Sequence, residues 1–132
     1  MSTLTLSPLD PLSLHRAIMP GAKVGLLAQI AKALQLKDEE LALLCGLTRS
    51  TFHRRRQDKK HLSPAETDAL FRYSELFKHA VAVLEDKDEA REWLRSPQYG
   101  LGGQIPLDLA RSTPGFNEVQ KLLTRLDYGV YA

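Results

Sequence analysis

The sequence predicts an all-α protein organised around two short helices joined by a tight turn, and three observations carry that reading. Between Glu40 and Lys60 (ELALLCGLTRSTFHRRRQDKK) an apolar run ends at Cys45-Gly46, and a second short run then carries dense positive charge. Elsewhere apolar residues recur three and four positions apart, the spacing of one helix face, between Ser, Asp, Pro and Gly punctuation. No segment shows the alternation of a half-buried strand. Seven or eight helices are expected.

Taken in order, Met1–Leu9 is Ser, Thr, Leu and Pro without period, expected as a mobile arm. Asp10-Pro11 reads as an N-cap followed by Pro at the first helical position, opening a short helix through Leu14 and Ile18 that stops at Pro20-Gly21. From Ala22 to Leu36, Val24, Leu27, Ala31 and Leu34 share one helical face. Lys37-Asp38 separates this helix from the central pair.

In the pair, Ala42 and Gly46 are small where two helices are expected to cross closely, and Leu41, Leu44, Leu47 and Phe52 are apolar where they bury a common face. Thr48 can cap the second helix, since its hydroxyl accepts a backbone N–H left unpaired at a helix start. This is the pattern of a helix-turn-helix. One feature is unusual. The position one turn after Phe52 should be apolar, yet 55 and 56 are both arginine, so one of them must bury its methylene stem.

Leu62-Ser63-Pro64-Ala65-Glu66 is a second start signal, with Ser63 as N-cap and Glu66 completing a capping box. The helix it opens is expected to run to about Glu85, with Leu70, Tyr73, Phe77, Ala80, Val81 and Leu84 on one stripe. Phe71, Leu76 and Val83 add a second apolar face, which suits a central helix or one shared in a dimer. Asp86-Lys87-Asp88 breaks it, and Asp88 is expected to cap a short helix carrying Trp93 and Leu94, closed by Ser96-Pro97. Gly100, Gly102 and Gly103 suggest a flexible turn, Ile105–Leu109 a single helical turn, and Thr113-Pro114 the start of a last helix. Phe116, Val119, Leu122, Leu123 and Leu126 line one face of that helix, and Gly129 is its expected stop. The domain reading is an arm and short helix over 1–20, a DNA-binding region over 21–61 and a helical half over 62–132.

At 132 residues the chain suits one packed domain or a small domain with an appendage. The net charge is only +2, but six Lys/Arg residues face a single acid, Asp58, between Arg49 and Lys60. Such a local patch is an electrostatic footprint for nucleic acid. On the second helix of the pair, Arg49, Ser50, His53 and Arg54 lie opposite Phe52. Arg reads guanine bidentately, and Ser or His can contact base edges or phosphates. Arg56, Lys59 and Lys60 lie at or past the helix end, where phosphate contacts that fix register belong. With Thr48 at the cap, these are the candidate DNA-binding residues.

Other chemistries find less support. Cys45, His53 and His61 are eight apart, which matches no zinc spacing, so no metal is expected. No Gly-rich phosphate loop is present, and no nucleophile, base and orienting group assemble, so neither a cofactor nor an enzyme is expected. The acids read mostly as helix caps or solvated faces. One cysteine precludes an internal disulfide, no apolar run reaches membrane-span length, and no signal peptide is legible. A reducing cytoplasm is the simplest home. The tail Tyr128-Gly129-Val130-Tyr131-Ala132 is apolar and aromatic where tails are usually polar. Either its tyrosines fold back on the core, or it inserts into a partner.

The segment LARSTPGFNEVQKLLTRLDYGVYA, preceded by IPLD, closely resembles the end of the Xre/MbcA/ParS antitoxin toxin-binding domain. That family's pattern is a Pro-Leu-Asp, a short helix, a Thr-Pro start, a Glu-containing amphipathic helix and a final Tyr-Gly-Val-Tyr. Leu41–Arg56 followed by Leu62-Ser63-Pro64 is similar to its N-terminal helix-turn-helix, and the resemblance covers about residues 20–132. The departure is at Arg55-Arg56, where the family more usually has a leucine after an Arg pair. The resemblance implies an antitoxin paired with a RES-domain toxin, an enzyme that consumes NAD. The C-terminal domain would cover the toxin's active-site cleft, with Tyr128, Gly129, Val130, Tyr131 and Ala132 blocking it. Trp93 and the 98–103 loop are further interface candidates. It also implies that the helix-turn-helix binds the operon's own promoter as a dimer or within the toxin complex. The competing reading is a stand-alone helix-turn-helix regulator whose second half dimerises or senses a ligand.

Overall fold

The computed structural model describes residues 10–129. The expectations for Met1–Leu9 and for Val130, Tyr131 and Ala132 therefore lie outside the described residues. Eight α-helices are present among the described residues: α1 Pro11–Ile18, α2 Val24–Leu34, α3 Asp38–Leu44, α4 Arg49–Asp58, α5 Pro64–Leu84, α6 Lys87–Arg95, α7 Pro106–Leu109 and α8 Thr113–Asp127. A 3-10 turn, Tyr99–Leu101, lies between α6 and α7. The described residues contain no β-strand, only two isolated bridges, Lys23 with His61 and Gln98 with Gln104. None of their helices is long and apolar enough to cross a membrane. The chain divides into two compact units, Met1–Ser74 and Glu75–Ala132, and the division falls inside α5.

In the first unit α2, α3 and α4 pack together. Their core is Leu27, Ile30, Ala31, Leu34, Leu41, Ala42, Leu47 and Phe52, all buried. Each large apolar side chain removed from water stabilises the fold by about 1.5–3 kcal/mol. The caps expected from sequence form. Asp10 accepts from the Ser13 N–H at 2.8 Å, and Thr48 from the Thr51 N–H at 3.2 Å. Ser63 Oγ accepts from the Glu66 N–H at 3.1 Å while Glu66 accepts from the Ser63 N–H at 2.8 Å. At α3, Glu40 reaches back to the Lys37 N–H at 3.1 Å, so Asp38 starts this helix rather than separating it from α2.

Gly46 is needed for a different reason from the one its size suggests. Its φ is +94°, and nothing lies within 4 Å of where a Cβ would stand. The turn needs a left-handed residue there; it does not need a close crossing. The close approach in this unit is at Gly21 (φ +82°), where a Cβ would be driven onto the Leu62 carbonyl oxygen.

In the second unit α6 packs on α7, α7 on α8, and α8 on the 3-10 turn. Leu76, Phe77, Ala80, Ala90, Leu94, Leu107, Ala110, Val119, Leu122 and Leu123 are its buried apolar residues. Asp86, not Asp88, caps α6, accepting from the Glu89 N–H at 2.8 Å. Asp88 lies inside the first turn and pairs with Arg91 at 2.9 Å. Helix α8 starts at Thr113 as expected, with Ser112 as its cap, accepting from the Gly115 N–H at 3.1 Å. Gly115 is buried, and a Cβ there would collide with the Leu109 carbonyl, which is how α7 and α8 come so close. Gly129 (φ +75°) ends α8, its N–H donating to the Leu126 carbonyl at 3.0 Å.

Candidate nucleic-acid interface and partner face

Helix α4 is polar on nearly every side, and Phe52 is its single buried residue. Propensity alone would leave so short a helix frayed, so its order comes from the Thr48 cap, the Phe52 anchor and ion pairs to its neighbours. Arg55 is the arginine that turns inward. It pairs with Glu66 at the start of α5, and the two side chains are only 25% and 15% exposed. Arg56 lays its guanidinium over the Phe52 ring, 5.0 Å from the centroid. The expected apolar residue is thus replaced by an ion-paired stem and a cation–π contact.

The remaining basic residues split into two groups. Arg49 Nε lies 3.2 Å from Glu39 Oε2, and His53 Nε2 lies 2.8 Å from Glu39 Oε1. Arg56 meets Asp38 at 3.6 Å and His53 Nδ1 at 3.3 Å. Arginine can only donate, so His53 Nδ1 accepts and Nε2 is the nitrogen that donates to Glu39. By contrast, no hydrogen bond or ion pair among the described residues involves the side chains of Arg54, Lys59 or Lys60, and all three are exposed. Ser50 is exposed beside Thr48, with the two hydroxyl oxygens 3.4 Å apart.

From the sequence, Lys37-Asp38 reads as a separator and the acids as caps or solvated faces, whereas Asp38 and Glu39 stand in the first turn of α3. They are not merely a solvated face, because tertiary packing sets them against α4. The acidic run Asp38-Glu39-Glu40 at the start of the helix that precedes the basic one is the sequence signal for this. Beside Phe52, a groove of about 460 Å³ lies between α2 and α4, lined by Lys23, Val24, Ala28, Arg56, Lys59 and His61. The face combines a helix anchored by Phe52, three exposed cations without a partner among the described residues, and a largely apolar groove edged by Lys23 and Arg56, and its cations can meet a polyanion.

In the second unit, Tyr128 follows the last turn of α8 with its side chain 80% exposed. It does not fold back on the core. Trp93 is half-buried on α6, and its carbonyl accepts from the Gln98 side-chain amide at 2.9 Å. Gly129 is exposed. Of the tail residues, Tyr128 and Gly129 alone fall within the described range.

These features define a helix-turn-helix protein with an appended helical unit that presents an aromatic end. Two family descriptions match in tandem: the antitoxin Xre-like helix-turn-helix domain over residues 13–74, and the antitoxin Xre/MbcA/ParS C-terminal toxin-binding domain over residues 79–129. The chain belongs to the Xre/MbcA/ParS antitoxin family. It is 26% identical over 127 residues (92% of this chain, 86% of the relative) to Antitoxin Xre of Yersinia enterocolitica serotype O:8 / biotype 1B. It is 24% identical over 118 residues (89% and 80%) to Antitoxin Xre of Photorhabdus laumondii subsp. laumondii. It is accordingly an antitoxin of a toxin–antitoxin system, with a toxin and DNA as partners and a regulatory rather than catalytic role.

Proposed function

We propose that this antitoxin neutralises a RES-domain toxin that consumes NAD, and that it represses its own operon by binding promoter DNA through α4. In this reading residues 21–61 carry the DNA contacts and 62–132 the toxin contacts, in a cytoplasmic dimer or hetero-oligomer with toxin. The supporting observation is Tyr128, an aromatic ring 80% exposed at the end of α8 in the half matched as toxin-binding. An exposed aromatic leading into the apolar Val130-Tyr131-Ala132 suits insertion into a cleft. Occlusion needs shape and apolar area, and no catalytic group. The RES identity rests on the Tyr-Gly-Val-Tyr ending.

For DNA, Arg49, Ser50, His53 and Arg54 are proposed at base edges, with Thr48, Arg56, Lys59 and Lys60 at phosphates. Two such helices must be presented one helical turn of DNA apart, so dimerisation is part of the reading. Co-purification of the chain with the product of the adjacent reading frame, followed by a shift assay on the promoter fragment, tests both halves. A complex that retards promoter DNA is expected; failure to bind the neighbour's product would remove the toxin half, and failure to shift the promoter would remove the repressor half.

A further inference from the structure

The turn between α6 and α7 is an ordered projection that neither the DNA face nor the tail uses. Three glycines suggest a flexible loop, yet five backbone hydrogen bonds close it. The Gln98 N–H donates to the Gln104 carbonyl at 3.0 Å, and the Leu101 and Gly103 N–H groups both donate to the Gln98 carbonyl, at 3.0 and 2.9 Å. The Gly102 N–H donates to Tyr99 at 3.0 Å and the Gln104 N–H to Leu101 at 3.2 Å. The Gln98 side-chain amide adds donations to the Trp93 and Ser96 carbonyls at 2.9 and 3.1 Å, tying the loop to the end of α6. Gly102 and Gly103 take φ values of +65° and +83°, which a side chain would strain. Leu101 is half-buried, and the turn packs on α8.

All this order holds out one residue that gains nothing from it. Tyr99 is 86% exposed, the most exposed of the large apolar side chains among the described residues. A tyrosine has few torsions to freeze, and one carried on a pre-ordered loop loses little freedom when a partner covers it. Tyrosine is also enriched among the residues that dominate interface energetics.

We propose that Tyr99 is a protein-contact anchor whose ring fills a pocket on the toxin, with its hydroxyl hydrogen-bonded at the pocket's end. The toxin contact then has two prongs, a rigid loop at Tyr99 and the tail beginning at Tyr128. The toxin is the occupant because Tyr99 lies inside the stretch matched as toxin-binding, the unit that also holds out Tyr128. The proposal rests on the antitoxin reading above and goes beyond the expectation for the 98–103 loop by naming Tyr99 as its anchor and the loop's internal hydrogen bonds as what holds the ring out.

The test measures affinity of the full chain for the purified product of the adjacent toxin frame, by calorimetry. Wild type, Tyr99→Ala, Tyr99→Lys, Tyr99→Phe and a chain ended at Asp127 are compared, with thermal melts and solution mass for each. Tyr99→Ala and Tyr99→Lys should each weaken binding on the order of tenfold to a hundredfold with unchanged melting, and Tyr99→Phe by less. Binding within about twofold of wild type for both Tyr99→Ala and Tyr99→Lys overturns the anchor, while a loss confined to the truncated chain leaves the antitoxin reading standing. No binding by wild type overturns both. A changed oligomeric mass with unchanged toxin affinity assigns the ring to a contact between copies and also overturns the proposal.

Discussion

Arg55 on the basic helix α4 and Glu66 on the first turn of α5 form an ion pair in which both side chains are largely withdrawn from water. Glu66 simultaneously accepts from the Ser63 N–H at 2.8 Å, so one carboxylate ends the basic helix's packing problem and completes the next helix's capping box. Removing it should undo both. Glu66→Ala is expected to cost about 2 kcal/mol, the cap and an orphaned arginine together. Arg54→Ala, on the exposed side of the same helix, should stay within about 0.5 kcal/mol. Urea denaturation of the two variants checks this, and equal midpoints would remove the structural role given to the pair.

The unpaired cations should divide by kind of contact. Arg54→Ala is expected to cost about 1–3 kcal/mol at one base-pair position and relax preference there. Lys59→Ala should instead weaken every sequence alike and lower the salt slope by about one. Competition binding with a panel of single-base operator variants, repeated at several salt concentrations, separates the two; a sequence-selective loss for Lys59→Ala would contradict its phosphate role.

Glu39 holds both Arg49 and His53, so it competes with DNA for two of the face's donors. Glu39→Gln should raise affinity for all DNA sequences by about twofold to tenfold at low salt, because a negative charge is removed from a surface meeting phosphates. The gain should fade as salt rises. A drop in affinity for the operator alone would show instead that Glu39 positions Arg49 for base reading.

Much of this molecule is written locally. The caps at Asp10, Thr48 and Ser63–Glu66, the stop at Gly129 and the buried stripes of α2, α5 and α8 follow from spacing and side-chain chemistry over a few residues. What the sequence hides is tertiary. Asp86 and Asp88 are both competent caps, and only chain entry selects Asp86. Gly46 and Gly115 look alike on paper, but one supplies a left-handed turn and the other permits α7 and α8 to touch. Glu39 finds its partners at 49 and 53 only because α3 crosses α4. The candidate DNA face was legible as a charge run; which of its cations are already paired was not.

Cys45 is buried, and loss of hydration there pushes its thiol up from 9.0 to about 12. At pH 8 the thiolate fraction is then on the order of one in ten thousand, so the folded chain should react with a thiol reagent far more slowly than the denatured chain. The linkage sign follows. The neutral thiol is favoured in the fold, so this contribution is intact below pH 9.0 and is lost as pH rises toward 12, where the unfolded chain deprotonates first. Rapid labelling of the native protein at pH 8 would contradict the burial.

Neutralisation by occlusion is tested most directly by NAD turnover of the RES-type toxin proposed as the partner, titrated with two forms of this chain. The full chain should stop NAD loss at a fixed molar ratio, while the chain ended at Asp127, with the same helical content, should leave turnover near the toxin-alone rate. Equal inhibition by both forms, or undiminished turnover with the full chain, would contradict a tail that closes the toxin's cleft.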